Sequence, residues 1–429
     1  MPTKKYPIKR KTRRIDHPPL RHTLSIAALG KDGDGLASQG EDRLYIKGAL
    51  PGEQVIAEFH SRQHGTVLEI LVPSPDRIPP PCPLYSACGG CALQHLREDA
   101  YRTWKISAIR DLLAREGLAA PPLAFHAVPP SSRRRATFAA RKTGRELILG
   151  YHGSRSHRIV DIPTCLILAP ALNQHISALR PLLAALLEDG QQVSLLATLC
   201  DNGLDINIDA ASAPERDQRL RVGTPPPFLR RITWRSPGEV PDLLYLDQAP
   251  RLTFGKISLF PPPHCFLQPS RPGEKFLQDF VANSLAASRR IVDLYSGVGT
   301  LSLPLAPERR IFAYDQSAPA IEALSAALAH EAPGSSARQR DLVRSPLTEA
   351  ELAPFDAAII DPPRAGALEQ CRIIAASRLS QVAMVSCNAR TFARDAACLT
   401  ASGYRLEKVA ILDQFAYSSH SEIAALFTH

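Results

Sequence analysis

IVDLYSGVGTLSLPLA, residues 291–306, decides the fold class. It combines a buried strand, an acidic residue, a glycine-rich turn and the start of a helix. Gly297 and Gly299 let backbone approach a ligand closely. The string is not a dinucleotide fingerprint, because Ser302 stands where the third glycine of GxGxxG belongs. It is not a P-loop either, which requires Gly-Lys-Ser/Thr. Asp315 ends the next strand, IFAYD, where a carboxylate can accept hydrogen bonds from both hydroxyls of a ribose. The plainer alternative for Asp315 is a helix N-cap. Three further apolar runs, RRIFAYD, FDAAIID and QVAMVSCN, each precede a turn and a helical stretch. This alternation predicts a doubly wound, Rossmann-like α/β domain over residues 261–429.

Moving toward the N-terminus, the pattern changes. Residues 17–75 hold short alternating stretches, LSIAALG, RLYIKGALPGEQVIAEF and GTVLEILVP, punctuated by Gly and Pro. They predict a small barrel of OB type. PSPDRIPPPCP (73–83) is a proline-rich break. A central α+β domain is expected over 76–260, with a helix in 93–118 and strands at LILGYH and HRIVDI. No internal repeat is visible.

The chain has 429 residues and a net charge of +9. Residues 1–14 carry seven Lys/Arg and no acid, so a basic, disordered tail is expected over 1–16. A second cluster, 131–158, has eight Arg/Lys against one Glu. Either cluster alone can be a solvated face, but the pair favours a nucleic-acid partner over a small molecule. No apolar run is long enough to span a bilayer, and the basic start has no apolar stretch behind it. A cytoplasmic enzyme without an obligate protein partner is the expectation. Nine cysteines, an odd number scattered along the chain, do not form a disulfide framework.

Two polar motifs follow strands of the C-terminal domain. AAIIDPPRAG (357–366) puts Asp361 just past one, before two prolines that stop a helix. AMVSCNART (383–391) puts Cys387 at the carboxyl end of the next, the edge where open α/β sheets bind ligands. A lone Cys after a strand is more often inert packing, and Cys371 and Cys398 are read that way. CPLYSACGGCALQH (82–95) spaces Cys82, Cys88 and Cys91 as C-x5-C-x2-C, with Cys165 later in VDIPTC. By spacing alone these four suit zinc or a [4Fe–4S] cluster.

Taken together, these motifs resemble the RNA 5-methyluridine methyltransferases that use S-adenosylmethionine (SAM), specifically the iron–sulfur branch acting on 23S rRNA. The resemblance covers nearly the whole chain. It implies that SAM is held by Tyr295, Gly297, Thr300, Asp315, Asp341 and Asp361, with Gln268 of FLQPS contributing from before the sheet. It implies that Cys387 is the nucleophile and that Glu422, in DQFAYSSHSE (413–422), is the general base after His420. The chemistry requires such a pair. Uracil C5 is a poor nucleophile until a thiolate adds to C6, and the added methyl leaves a proton on C5 that a base must remove. The resemblance also implies a [4Fe–4S] cluster on Cys82, Cys88, Cys91 and Cys165 and a TRAM-type first domain that binds looped RNA. This chain departs from the family pattern at Thr300 and Ser270, each in place of Asn, at Ala416 for Pro and at Ser418 for Thr. The competing readings are a tRNA T-loop methyltransferase and a non-catalytic RNA-binding iron–sulfur assembly factor. The four-cysteine set speaks against the first, and the joint presence of Cys387 and Glu422 against the second.

Overall fold

The computed structural model describes residues 20–429 apart from 216, 219, 220 and 378, so the basic tail lies outside the described residues. The chain forms two compact units, Met1–Ile78 and Pro79–His429. In the first, six strands form one sheet between Arg21 and Val72. Leu24, Ala37, Leu44, Ile46, Val55 and Ala57 close its core. Glu53 is buried beneath it, accepting from Leu50 N at 2.8 Å and held by Arg77. Arg77 sits in the proline-rich break and so fastens its start to this sheet.

The second unit contains two large sheets. One has seven strands between Arg135 and Leu246, backed by the helix Ile176–Leu186. Its core includes Phe138, Leu149, Leu183, Leu195, Ile206 and Trp234. The other carries the candidate site and has eight strands: β1 (Leu123–Ala127), β2 (Arg290–Leu294), β3 (Arg310–Asp315), β4 (Ser336–Gln339), β5 (Ala357–Ile360), β6 (Gln381–Ser386), β7 (Arg405–Asp413) and β8 (Glu422–Thr428). Their order is β4-β3-β2-β5-β6-β8-β7-β1. Strands β2 to β6 run parallel, while β8 is antiparallel to both β6 and β7. β5 is buried at all four positions, as a parallel strand covered on both faces must be.

Among the described residues, five helices of ten residues or more flank this sheet: α1 (Glu98–Arg115), α2 (Arg271–Ser284), α3 (Ala318–Glu331), α4 (Leu368–Ser377) and α5 (Ala389–Thr400). Caps fix where two of them begin: Ser270 accepts from Gly273 N to start α2, and Asn388 accepts from Arg390 N to start α5.

Two features differ from the sequence expectation. The glycine turn does not open an α-helix; only a 3-10 turn, Leu303–Leu305, follows it. Pro304 and Pro307 remove two amide donors there, and β3 already begins at Arg310. The stretch 76–260 is also not self-contained. β1 pairs in parallel with β7, and Ile109 and Leu113 of α1 share a core with Val292, Ile360 and Met384. LAFHA lacks the alternation that would announce a strand, because its place is set by its partner.

Candidate active site

Four acids converge on one edge of the eight-stranded sheet. Asp293 lies in β2, Asp315 ends β3, Asp361 follows β5 and Glu422 begins β8. The parallel strands present their carboxyl ends together, the place where doubly wound sheets bind ligands. Ser386 of β6 pairs with Ile423 of β8, so the next opposed positions are Cys387 and Glu422. Opposed residues on antiparallel strands bring their side chains within contact range.

Burial governs the electrostatics. Asp293 and Glu422 are 1% and 3% exposed. Burial pushes each carboxyl up to about 7; the Ser302 hydroxyl opposes this for Asp293, and Gln414 opposes it for Glu422. Burial, then Glu422 and Asp315, hold Asp361 far above the usual carboxylate range. Burial also raises the Cys387 thiol, aided by Glu422 and Asp361 and opposed by Arg364. Such an edge favours a positively charged ligand.

The glycine turn is shaped to admit one. Tyr295, Gly297 and Gly299 adopt positive φ values of 63°, 53° and 79°. Tyr295 is not glycine, so its left-handed backbone costs roughly 1–2 kcal/mol that the surrounding packing must offset. A Cβ on Gly297 would meet nothing within 4 Å, which leaves an open approach. One on Gly299 would stand 2.6 Å from Leu324, so that glycine serves packing as well. Ser296 Oγ and Asp293 Oδ2 are buried beside the turn without a partner among the described residues. Asp315 accepts from Gly297 N at 2.9 Å and from Ser317 N at 2.8 Å. It thus braces the turn and the start of α3 together, while each oxygen keeps lone-pair capacity. Thr300 is buried, and its carbonyl accepts from Gln278. Asp341 accepts from Val343 N and Arg344 N and caps its own turn.

Gln268 joins the site from the segment before α2. Its Oε1 accepts from Gln414 Nε2 at 2.7 Å, and the same nitrogen donates to Glu422 Oε2 at 3.1 Å. Gln414 was not singled out in the sequence; it lies one residue past the Asp413 position that opens the motif, and its type alone gives no signal. Asn388 was quoted only as part of a motif. It donates to Arg364 O at 2.8 Å and so ties the Asp361 loop to the Cys387 loop.

A second missed residue is Lys105 of α1. Its ammonium reaches Asp413 Oδ1 at 2.6 Å and His420 O at 2.7 Å, clamping both ends of the loop that leads into Glu422. Tyr101, one helical turn earlier, donates to Ser418 O. A Lys and a Tyr at this spacing on a polar helix read as an exposed face, so the sequence gave no warning.

The second basic cluster is less solvated than its composition implies. Arg134 is buried and paired with Glu274, Arg133 lies over Phe415, and Arg135 lies over Phe266. These three arginines build the walls near the site. Arg141, Arg145, Arg155 and Arg158 remain exposed.

Cys82, Cys88, Cys91 and Cys165 line one small pocket with Tyr85, Tyr151 and Ile162 and without a carboxylate or imidazole. Among the described residues, no three His, Cys, Asp or Glu side chains form a group that could hold a single metal ion. Burial, followed by its cysteine neighbours, pushes the Cys91 thiol up to about 11 despite help from Gln94. The loop docks on the candidate site: Ala92 N and Leu93 N donate to Tyr417 O at 2.8 and 3.0 Å. Cys371 and Cys398 pack with the core around α4 and α5, as expected.

A family model described as tRNA (Uracil-5-)-methyltransferase matches residues 257–429. A protein of Caulobacter vibrioides named as an RNA methyltransferase is 39% identical over 418 residues, spanning 94% of this chain and 99% of its own. The 23S rRNA (uracil(1939)-C(5))-methyltransferase RlmD of Halomonas elongata is 33% identical, across 95% of this chain and 90% of its own. The chain belongs to the RNA (uracil-5-)-methyltransferase family. It is therefore a SAM-dependent RNA methyltransferase, and RNA is its substrate. The fold agrees: the crystal structure of Pyrococcus abyssi tRNA (uracil-54, C5)-methyltransferase with S-adenosyl-L-homocysteine superposes with a TM-score of 0.72 at 21% identity, covering 95% of this chain and 99% of that one. Among the described residues no helix is long and apolar enough to cross a membrane.

Proposed function

We propose that this enzyme methylates C5 of a uridine in 23S rRNA through a covalent adduct between Cys387 and C6. The carrying observation is that Cys387 directly follows β6 and Glu422 opens the adjoining strand β8, where its carboxyl acts on the Cys387 thiol. Bound SAM supplies an electrophilic methyl on a cationic sulfur. Gly297 leaves room for it, the unpartnered polar atoms of Ser296 and Asp293 lie beside that room, and the buried acids suit its charge. Tyr295, Gly297, Thr300, Asp315, Asp341 and Gln268 are the proposed binding set, with Asp361 beside the methyl.

Cys387 reacts as the thiolate. Its neighbours Glu422 and Asp361 favour the thiol, so a cation placed beside those acids shifts the balance and releases the proton to solvent. The sulfur then bonds to C6, and the C5–C6 electron pair moves onto C5 and O4. C5 takes the methyl, and the sulfonium leaves as a neutral thioether. Glu422, ionised, removes the remaining C5 proton. The C5–C6 double bond reforms as the sulfur of Cys387 departs with its electron pair.

The four-thiol set, free of carboxylates and imidazoles, fits an iron–sulfur cluster in chemistry. In this reading Cys82, Cys88, Cys91 and Cys165 hold a [4Fe–4S] cluster that locks the loop resting on Tyr417. Anaerobically purified protein should contain about four irons and four sulfides per chain. Colourless protein with one zinc would reject that part of the proposal.

The 23S assignment draws on the named function of the Halomonas relative. Incubation with methyl-labelled SAM and unmodified rRNA or tRNA, followed by mapping of the labelled nucleotide, tests it. Label on a 23S uridine C5 is the expected result, and label confined to tRNA would overturn the substrate.

A further inference from the structure

Three buried side chains form a chain from the proposed base to the cofactor segment: Glu422, Gln414 and Gln268, each 3% exposed or less. The hydrogen bonds have a fixed polarity. An ionised carboxylate only accepts, so Glu422 requires the nitrogen of the Gln414 amide to face it. The second hydrogen on that nitrogen goes to Gln268, which must therefore offer its oxygen. Gln268 Nε2 is left as a donor that neither of these bonds uses. Orientation of an amide is ordinarily ambiguous; with Glu422 ionised, as its role as base requires, both orientations are determined.

We propose that Gln414 is a positioning residue that both holds the Glu422 carboxylate and turns Gln268 so that it meets an oxygen acceptor as a hydrogen-bond donor. The acceptor is either O4 of the target uracil or the carboxylate of the cofactor. The inference rests on the uracil-5 reading of the site. Packing supports it independently. Gln414 Oε1 is buried without a partner among the described residues, and it faces Gly273, where a Cβ would stand only 2.6 Å away. Gly273 lies in the first turn of α2, so the glycine leaves room for this amide without serving a left-handed turn.

The wild-type enzyme is first shown to place label on uridine C5; failure there overturns the uracil-5 reading and the proposal that rests on it, whereas the variants test Gln414 by itself. Two variants then probe Gln414. Gln414→Leu removes the amide, and Gly273→Ala displaces it while keeping its chemistry, though it also crowds the Ser270 cap at 2.8 Å, an effect read in Tm. Both should fall in kcat with accumulation of the methylated covalent adduct, by about 10- to 100-fold for Gln414→Leu, the worth of a hydrogen bond to a charged group. Gly273→Ala should show a smaller effect and keeps the test alive should Gln414→Leu fail to fold. Wild-type kcat and adduct level in Gly273→Ala and in folded Gln414→Leu, with only a lowered Tm, would overturn the proposal. Gln268→Glu, which replaces the donor with an acceptor, separates the two sources. Weakened binding of S-adenosyl-L-homocysteine by calorimetry with an unchanged KM for RNA identifies the cofactor carboxylate. Unchanged binding of that ligand with a raised KM for RNA and new adducts on cytidine-substituted RNA identifies uracil O4. Wild-type values in both measurements reject the donor role.

Discussion

Two groups of buried acids lie within this one domain, and they are compensated in opposite ways. Asp413 has a resident cation, because Lys105 reaches it at 2.6 Å with both side chains almost fully enclosed. Among the described residues, the buried Asp293 and Glu422 and the half-buried Asp361 have no comparable ion pair; their proton affinities rise instead. A buried charge must be paired or neutralised. Where the pair is built in, the acid serves the fold. Where it is withheld, the acid is kept for a ligand or a reaction, and perturbed acids in a cleft mark functional sites for that reason. The contrast predicts that substitutions in the two groups differ in kind: those at the clamp should act on stability, and those at the edge on chemistry.

The largest effects belong to the edge. Cys387→Ala should abolish methylation and leave no covalent RNA complex while still binding SAM, since the glycine turn is untouched. Glu422→Gln should stall after methyl transfer, and a denaturing gel should show label and RNA migrating with the protein. In wild-type enzyme, RNA containing 5-fluorouridine should trap the same adduct. Normal turnover by Cys387→Ala would reject the covalent route. Normal turnover by Glu422→Gln would move the base elsewhere, with Asp361 next in line.

At the clamp, Lys105→Met leaves Asp413 buried and unpaired, which should lower stability by about 3–5 kcal/mol in denaturant unfolding. The double variant Lys105→Met with Asp413→Leu should recover most of that loss. Should Lys105→Met keep wild-type stability but lose activity, the division into structural and functional acids fails at this point.

The same division explains what could be read from the sequence. Local pattern placed Asp361 and Cys387 just past strands at one edge, but the roles proposed for Cys387 and Glu422 came from the family resemblance; position alone favoured inert packing for the cysteine. The four strands around them were legible from their apolar runs. Lys105, Gln414 and Arg134 were not, because each owes its role to a partner far along the chain: Lys105 to Asp413, Gln414 to Gln268, and Arg134 to Glu274. Arg134 was counted as part of a basic surface for the same reason. Composition records a charge, whereas burial depends on what covers it. β1 escaped for a related cause, since LAFHA is a strand only through its pairing with β7.

The smallest expected effect concerns pH and the uncompensated acids. Asp293, Asp361 and Glu422 all bind their protons more tightly folded than unfolded. The folded state therefore holds more protons than the unfolded one above the ordinary carboxylate range, and stability falls as pH rises. Their contribution is fully present below about pH 4 and, for Asp293 and Glu422, is lost progressively up to about pH 7. Asp361→Asn removes one such group while keeping its shape. The ligand-free variant should gain on the order of 1 kcal/mol at neutral pH, as the removal of a strained functional group often gives, and its Tm should depend less on pH. Its activity should fall at the same time. The cationic sulfonium of SAM should also lose part of its advantage over neutral S-adenosyl-L-homocysteine in binding to this variant. The decisive measurement is the ratio of the two ligand affinities, wild type against Asp361→Asn, at fixed pH and ionic strength. An unchanged ratio would mean that Asp361 does not sense the sulfonium charge, and the buried acids would then have to be explained by proton transfer alone.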